Sequence, residues 1–375
     1  MFDTGVNTVI HIDTHGEIIR FYAGNMNKRQ LQLEIPYACR PFSEAFYQKL
    51  AQVLKSYQQK KRSMEATKAA IILPDHLFLM DTVSVPNIGK KAMENAVEAG
   101  IGAIYKNKRE LQYHFFPLTQ TTQVGTFGIV GVRKEILEKL QDICNASQVS
   151  LQVVTFEAGA MACGAMALNA KLRSGTGLVL DVQEGACHFA FVNKGRVIGT
   201  YRLPFGSEML SNTDLVAEES LFDHSSAELM VRTAHEHAKS KCFAALDSDM
   251  TAPDGEETLA GGKKAIKKSA KLHTREMPTE AKGFIYENFR IILKWTLNLL
   301  QSNPAILAQG AIDTVYMNIA PEYQFLFDML AEEENGVSFV PVFTGNRQPG
   351  AEKDLRQLTL FGGLQLKQYG KYNNF

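Results

Sequence analysis

Along this chain the spacing of apolar residues changes period several times, and the changes come in the same order twice. Alternating or apolar runs in "TVIHID", "EIIRFYA" and "QLQLEIPY", broken by Gly or Asn turns, predict three short strands. A helical period follows in "SEAFYQKLAQVLKSYQ", and "AAIILP" predicts a further strand. From near Gly177 the order returns as "LVLDV", "CHFAFVNKG" and "RVIGTYRLPF", then helices, the strand "IDTVYMNIA" and the helix "PEYQFLFDMLAEE". The pattern predicts two copies of one unit, a strand meander followed by helix. Asp13 closes the first strand of one copy and Asp181 that of the other, and a turn containing Gly16 or Gly185 follows each.

A different segment separates the copies. It reads strand "FLMDTVSVP", helix "KKAMENAVEAGIGAIY", strands "LQYHFFPLT" and "VGTFGIVGVRK", and helix "EILEKLQDICNAS". The strand and helix of "LQVVTFEAGAMACGAMALNA" then return the chain to the first unit. The expected division is therefore a first lobe over 1–78, an inserted α+β subdomain over 79–147, the first lobe again over 148–175, and a second lobe over 176–375. Within that last part, about 247–282 turns acidic and then basic with little apolar material, and predicts a mobile charged excursion.

Composition narrows the picture. A chain of 375 residues, 45% of them hydrophobic, can bury a sizeable core. A formal net charge of zero supplies no overall field to recruit nucleic acid or an anionic membrane. The five cysteines are scattered without a CxxC pair, which speaks against a disulfide framework and a cysteine zinc site. No signal-peptide pattern opens the chain. The nearest approach to a membrane span, "FIYENFRIILKWTLNLLQ", is interrupted by Glu287, Asn288, Arg290 and Lys294. Ile285, Phe289, Ile292 and Leu299 share one face there, so a packed amphipathic helix is expected.

Paired carboxylates at the ends of duplicated strands suit a two-lobed nucleotide clamp, in which turn N–H groups hold phosphates and the aspartates position a metal ion or water. Other candidates fall away. His235 and His237 are two apart on a predicted helix and face different ways, so with Cys242 they make no chelate. "AGGKK" lacks the spacing of a phosphate loop, and no nucleophile with a base stands at recognisable spacing. No catalytic residue and no metal ligand set is expected.

The element order, together with "AAIILPDHLFLMDTVSVP", "IVGVRKEILEKLQDICNASQVSLQVVTFEAGAMA", "LVLDVQEGACHFAFVNKGRVIGTYRLPFGSE" and the small-residue helix "LTLFGGLQLK", resembles the actin-like ATPase superfamily. The branch it resembles carries a strand–helix–strand–strand insertion: PilM-type pilus assembly proteins and the cell-division protein FtsA. PilM is the better match, because "QYGKYNNF" is not the basic amphipathic helix that ends FtsA-type proteins. The resemblance implies an α/β, bilobed actin-like fold, a duplicated ribonuclease H-like unit with the inserted α+β subdomain.

Set against the family's nucleotide loops, this sequence is eroded. The first loop usually reads Asp-x-Gly-Ser/Thr; here Asp13 remains, His15 takes the Gly position, Gly16 takes the hydroxyl position, and Arg20 falls where PilM-type proteins usually carry Lys. In the second, usually Asp-x-Gly-x-x-Thr-Thr, Asp181 and Gly185 survive while Gln183, Ala186 and Cys187 replace the glycine and both hydroxyls. Asn318, Ile319 and Ala320 stand where the nucleoside loop has a Gly pair. A Cβ in a turn needing positive φ costs about 1 kcal/mol. Each lost contact to a charged group forfeits roughly 1.5 to 3 kcal/mol. Over three loops this is comparable with the ~8 kcal/mol of a micromolar complex.

The resemblance therefore implies a pseudo-ATPase: no cofactor is expected, ATP with Mg being the candidate that the fold would suggest. It implies a cytoplasmic scaffold of a type IV pilus or related secretion assembly, held at the inner face of the membrane by the cytoplasmic peptide of a PilN-like membrane protein. In PilM-type proteins that peptide lies in a groove between the first lobe and the insertion. Self-association is open; nucleic acid and direct membrane insertion are not expected. The alternatives are a working actin-like ATPase and an FtsA-like filament-forming protein.

Overall fold

The computed structural model describes residues 6–14, 16–25, 28–60, 67–88, 90–183, 186–203, 206–210, 279–302, 306, 312–331, 337–342, 357–369 and 375. Three strands open the chain: β1 (Thr8–Asp13), β2 (Ile18–Asn25) and β3 (Lys28–Pro36). Helix α1 (Glu44–Lys60) and β4 (Thr67–Leu73) follow. The insertion supplies β5 (Phe78–Pro86), α2 (Lys90–Ile104), β6 (Leu111–Gln120), β7 (Val124–Arg133) and α3 (Lys134–Ala146). Next come β8 (Val149–Phe156), α4 (Glu157–Leu168) and the short α5 (Ala170–Ser174). The second copy brings β9 (Thr176–Val182), β10 (Cys187–Asn193), β11 (Arg196–Leu203) and α6 (Ser207–Leu210). It continues with α7 (Thr279–Ser302), β12 (Thr314–Asn318), α8 (Phe325–Ala331), β13 (Ser338–Pro341) and α9 (Gln357–Tyr369).

The repeat in the sequence becomes a repeat in topology. One sheet runs β3-β2-β1-β4-β8 and another runs β11-β10-β9-β12-β13, each an antiparallel meander with two parallel strands added beside its first strand. The insertion closes into its own antiparallel sheet, β5-β7-β6. Val83, Val85, Met93, Val97, Ile101, Phe127 and Ile129 form a separate small core beneath it.

By contacts the chain divides into two compact units, residues 1–209 with 296–375, and residues 210–295. All three sheets lie in the first. Of the second, Leu210 and the first part of α7 are described, and there the Asn288 side-chain amide donates to the Leu210 carbonyl at 2.9 Å. No described helix is long and apolar enough to cross a membrane. Most of the expected charged excursion, with His235, His237 and Cys242, lies outside the described residues, and α7 already begins at Thr279.

Some elements differ from the pattern. "PEYQFLFDMLAEE" holds a short 3-10 turn, Pro321–Tyr323, and then the separate helix α8, since Pro321 at the first turn position favours tight capping. The edge strand β13 pairs with β12 and carries no alternation that announces it.

Helix α4 is where the core comes together. Ala158 to Met166 are all buried, so the helix is apolar all round, as a helix enclosed on every side must be. It packs against β8 and β4 of one sheet, β9, β10 and β11 of the other, and α9. Small residues allow the α4–α9 crossing: a Cβ on Gly164 would meet the Leu358 carbonyl oxygen at 2.6 Å, and one on Gly362 would overlap the Ala160 carbonyl oxygen. Neither neighbour is a flexible side-chain end that can swing away. Gly362→Ala is therefore expected to cost at least the roughly 1 to 3 kcal/mol of ordinary overpacking, seen as a lowered urea midpoint. An unchanged midpoint would mean that the helices do not cross this closely.

Candidate functional site

Strand register sets polar side chains in rows across otherwise apolar sheets. In the first sheet Glu34 pairs with Arg20, and Arg20 with His11, across β3, β2 and β1. Asp13, two residues beyond His11, falls on the same face. In the second sheet Arg202, His188, Asp181 and Asn318 are successive register partners across β11, β10, β9 and β12. Cross-strand partners share a face, so each row is a continuous polar line.

Both aspartates expected as phosphate-loop remnants are met by side chains of this chain. Arg20, fully buried, donates from Nη1 to Asp13 Oδ2 at 2.7 Å and from Nε to Glu34 Oε1 at 2.8 Å. The Gly16 N–H donates to Asp13 Oδ1 at 3.0 Å. A Cβ on Gly16 would meet Asp13 Oδ2 at 2.9 Å, so this tight return needs glycine for room. Burial alone would raise the Asp13 pKa; the Gly16 N–H, Arg20 and nearby His11 outweigh it and hold the carboxyl well below the usual range. Burial likewise works against the Arg20 charge, and Asp13 and Glu34 more than offset it.

Asp181, completely buried, accepts from Asn318 Nδ2 at 2.7 Å on Oδ1 and from Gln183 Nε2 at 3.0 Å on Oδ2. These neutral donors do not cancel the cost of burial, which pushes the Asp181 pKa up to about 6. Gly185 lies outside the described residues. Of the expected site residues, Asp13, Gly16 and Arg20 thus form one cluster, while Asp181 is bonded within its own sheet.

Residues that the motifs did not single out reach both rows. Glu157 opens α4, and its Oε1 lies 2.8 Å from His11 Nε2. The His11 hydrogen bond overcomes burial and lowers the Glu157 pKa, so Glu157 is the ionised acceptor and His11 Nε2 carries the proton. Asp75, just after β4, accepts the Ala158 N–H at 2.9 Å; burial and then the Glu157 charge push its pKa up to about 7. Two neighbouring buried carboxylates do not ionise equally, and the one with the histidine ionises first. Arg202 donates from Nε to His188 Nε2 at 3.3 Å. Burial lowers the Arg202 pKa, against the charges of Glu157, Asp13 and Asp75. The signal for these residues was present as single polar positions inside apolar strands: His11 in "TVIHID", His188 in "CHFAF", Arg202 in "TYRLPF".

Asp75, Glu157 and His188 could each offer one ligand atom to a metal ion, with those atoms within 4.8 Å of one another. Arg202 Nε already donates to His188 Nε2, and its guanidinium brings positive charge to the carboxylates. The arrangement is a joint of paired polar side chains between two apolar sheets.

Two changes test this geometry. Arg20→Met leaves the part-buried Asp13 carboxylate without its cation and is expected to cost about 1.5 to 3 kcal/mol in urea unfolding. For Asp181, the folded pKa of about 6 lies above the ordinary 3.8, so the folded chain binds more protons between those values. Its contribution to stability therefore falls as pH rises through that window. Asp181→Asn carries a constant offset from its changed hydrogen bonds and lacks this slope. Its stability relative to wild type is expected to improve from pH 4 to pH 7, read from unfolding curves at successive pH.

No protein-family model and no curated protein matches this sequence. Among solved structures it is similar to a PilM–PilN type IV pilus biogenesis complex, at 15% identity, over 98% of each chain, with a TM-score of 0.52. It is also similar to the cytoplasmic domain of EpsL, an inner membrane component of the type II secretion system of Vibrio cholerae. That match has 14% identity over 54% of this chain and 72% of that one, with a TM-score of 0.36. MreB5 of Spiroplasma citri bound to ADP matches at 11% identity over 98% of each chain, with a TM-score of 0.40. Scores this low carry no weight, and 15% identity in the first speaks for fold alone. Two sheets of the same strand order, a third sheet inserted into the chain between β4 and β8, and a likeness that spans the chain lead to one conclusion: this protein has the actin-like fold with an inserted α+β subdomain.

Proposed function

We propose that this chain is a non-hydrolysing scaffold of a type IV pilus or related secretion assembly, which works by binding the cytoplasmic peptide of a PilN-like membrane protein. The observation that carries the reading is the pairing of both loop aspartates from within the chain. Arg20 neutralises Asp13, and Asn318 and Gln183 occupy both oxygens of Asp181. A metal–phosphate group would have to displace the Arg20–Asp13 pair and both amide donors of Asp181. These residues do not fit Mg·ATP, and no reaction step is assigned to them.

A fold whose loop aspartates are held by its own side chains can still act through its surface. The likeness to the PilM–PilN complex supports the class of partner, and recognition of an extended apolar peptide in a groove is the physics such a partner needs. Location at the inner face of the membrane, through that partner, belongs to the same reading.

Calorimetric titration with Mg·ATP to millimolar concentration is expected to give no heat, and micromolar binding would overturn the pseudo-ATPase reading. Synthetic peptides matching the cytoplasmic segments of single-span membrane proteins from the same organism test the other half. At least one is expected to bind with a Kd in the micromolar range, and binding by none would remove the partner assignment.

A further inference from the structure

The hairpin that joins β10 to β11 turns in two residues, because Asn193 and Arg196 are register partners. Both residues of the turn, Lys194 and Gly195, have positive φ, at 49° and 76°. A turn of this kind favours Asn-Gly or Gly-Gly, since a long side chain is strained in the left-handed region. Lysine therefore stands where the backbone prefers a short, uncharged residue. Its N–H donates outside the hairpin, to the Gly175 carbonyl at 2.8 Å, and the Gly175 N–H donates to the Lys171 carbonyl at 3.0 Å. One glycine thus ties the turn to α5. The two segments that meet here, 169–177 and 193–200, contain Lys171, Arg173, Lys194 and Arg196 and no acidic residue. Lys171, Arg173 and Lys194 are exposed and Arg196 is half-buried. Neither lysine has an ion pair among the described residues. The arginine heads are turned to the backbone: Arg173 donates from Nε and Nη2 to the Met166 and Ala167 carbonyls at 2.7 and 3.0 Å, and Arg196 from Nη1 to the Pro117 carbonyl at 2.6 Å.

We propose that this basic face, formed by α5 and the β10–β11 turn, rests on the anionic lipid headgroups of a bilayer without entering its apolar core. A single phosphate or carboxylate is gripped best by a planar guanidinium fork, and here the forks are spent on carbonyls. The lysines are point charges on flexible stems, and such charges suit a diffuse layer of headgroups, which attracts them within about a Debye length. The large apolar side chains exposed among the described residues, Ile88, Ile104 and Val124, belong to the inserted subdomain, so none of them anchors this face. The choice of lipid rests on the location at the inner face of the membrane proposed above, which puts a bilayer within reach.

The probe is sedimentation of the full chain with vesicles of phosphatidylcholine alone and of an equimolar mixture with phosphatidylglycerol, with no partner peptide present. The chain is expected to pellet with the anionic vesicles and not with the neutral ones. It is expected to be released as salt shortens the Debye length from ~10 Å at 0.1 M to ~3 Å at 1 M. Lys194→Asn is expected to weaken the partition about fivefold, the ~1 kcal/mol carried by one lysine near such a surface. The same variant is expected to hold or raise the urea midpoint, because asparagine accepts the left-handed region more readily. Lys106→Asn, which changes an exposed lysine of the inserted subdomain, is expected to leave the partition unchanged. Equal pelleting with both kinds of vesicle, an unchanged partition in Lys194→Asn or an equal loss in Lys106→Asn would overturn the proposal. A lowered midpoint in Lys194→Asn would overturn it as well, by making the lysine part of the fold. Capture of polyglutamate without partition onto anionic vesicles would overturn it in favour of an acidic polypeptide. The vesicle result is separate from the peptide titration: peptide binding without vesicle binding leaves the scaffold reading and removes this face from it.

Discussion

A buried carboxylate must be met by donors or keep its proton, and the joint between the two five-stranded sheets is arranged around that requirement. Asp13 is met by a guanidinium and a backbone N–H and stays ionised. Glu157 is met by a histidine and ionises at the expense of Asp75. Asp181 has two neutral amides and holds its proton to higher pH. The three solutions follow one rule, that the charge of the donor decides how much of the cost of burial is returned.

That arrangement bears on function through what it leaves open. In a nucleotide clamp, the ligand and its metal ion bring the positive charge and the donors that paired aspartates require. Here Arg20, Asn318 and Gln183 donate to those aspartates, and Arg202 adds positive charge near them. The apolar part of the same joint is as tightly fitted: α4 has no exposed face to spare, and its crossing with α9 leaves no room for a Cβ at Gly164 or Gly362. A joint of this kind transmits strain more readily than it admits a molecule.

Much of the architecture was legible in the sequence. The duplicated meander, the inserted segment and the long amphipathic helix follow from periods of two and near four, which are local properties of a strand or a helix. The aspartates at the end of β1 and one residue before the end of β9 were legible for the same reason, as polar positions after apolar runs. Strand β13 and the break after Pro321 were not, because a four-residue edge strand and a single tight turn have too few positions to show a period.

The sequence by itself determined which elements form, in what order, and that a carboxylate ends each copy's first strand. Only the tertiary structure decided who meets those carboxylates and their neighbours. Asn318 reaches Asp181 across 137 residues and His11 reaches Glu157 across 146, and Phe375 joins β8 more than two hundred residues after that strand ends. Hydrophobic period fixes the face a residue occupies, but strand order and register choose its neighbour on that face, and these are settled when the whole core packs.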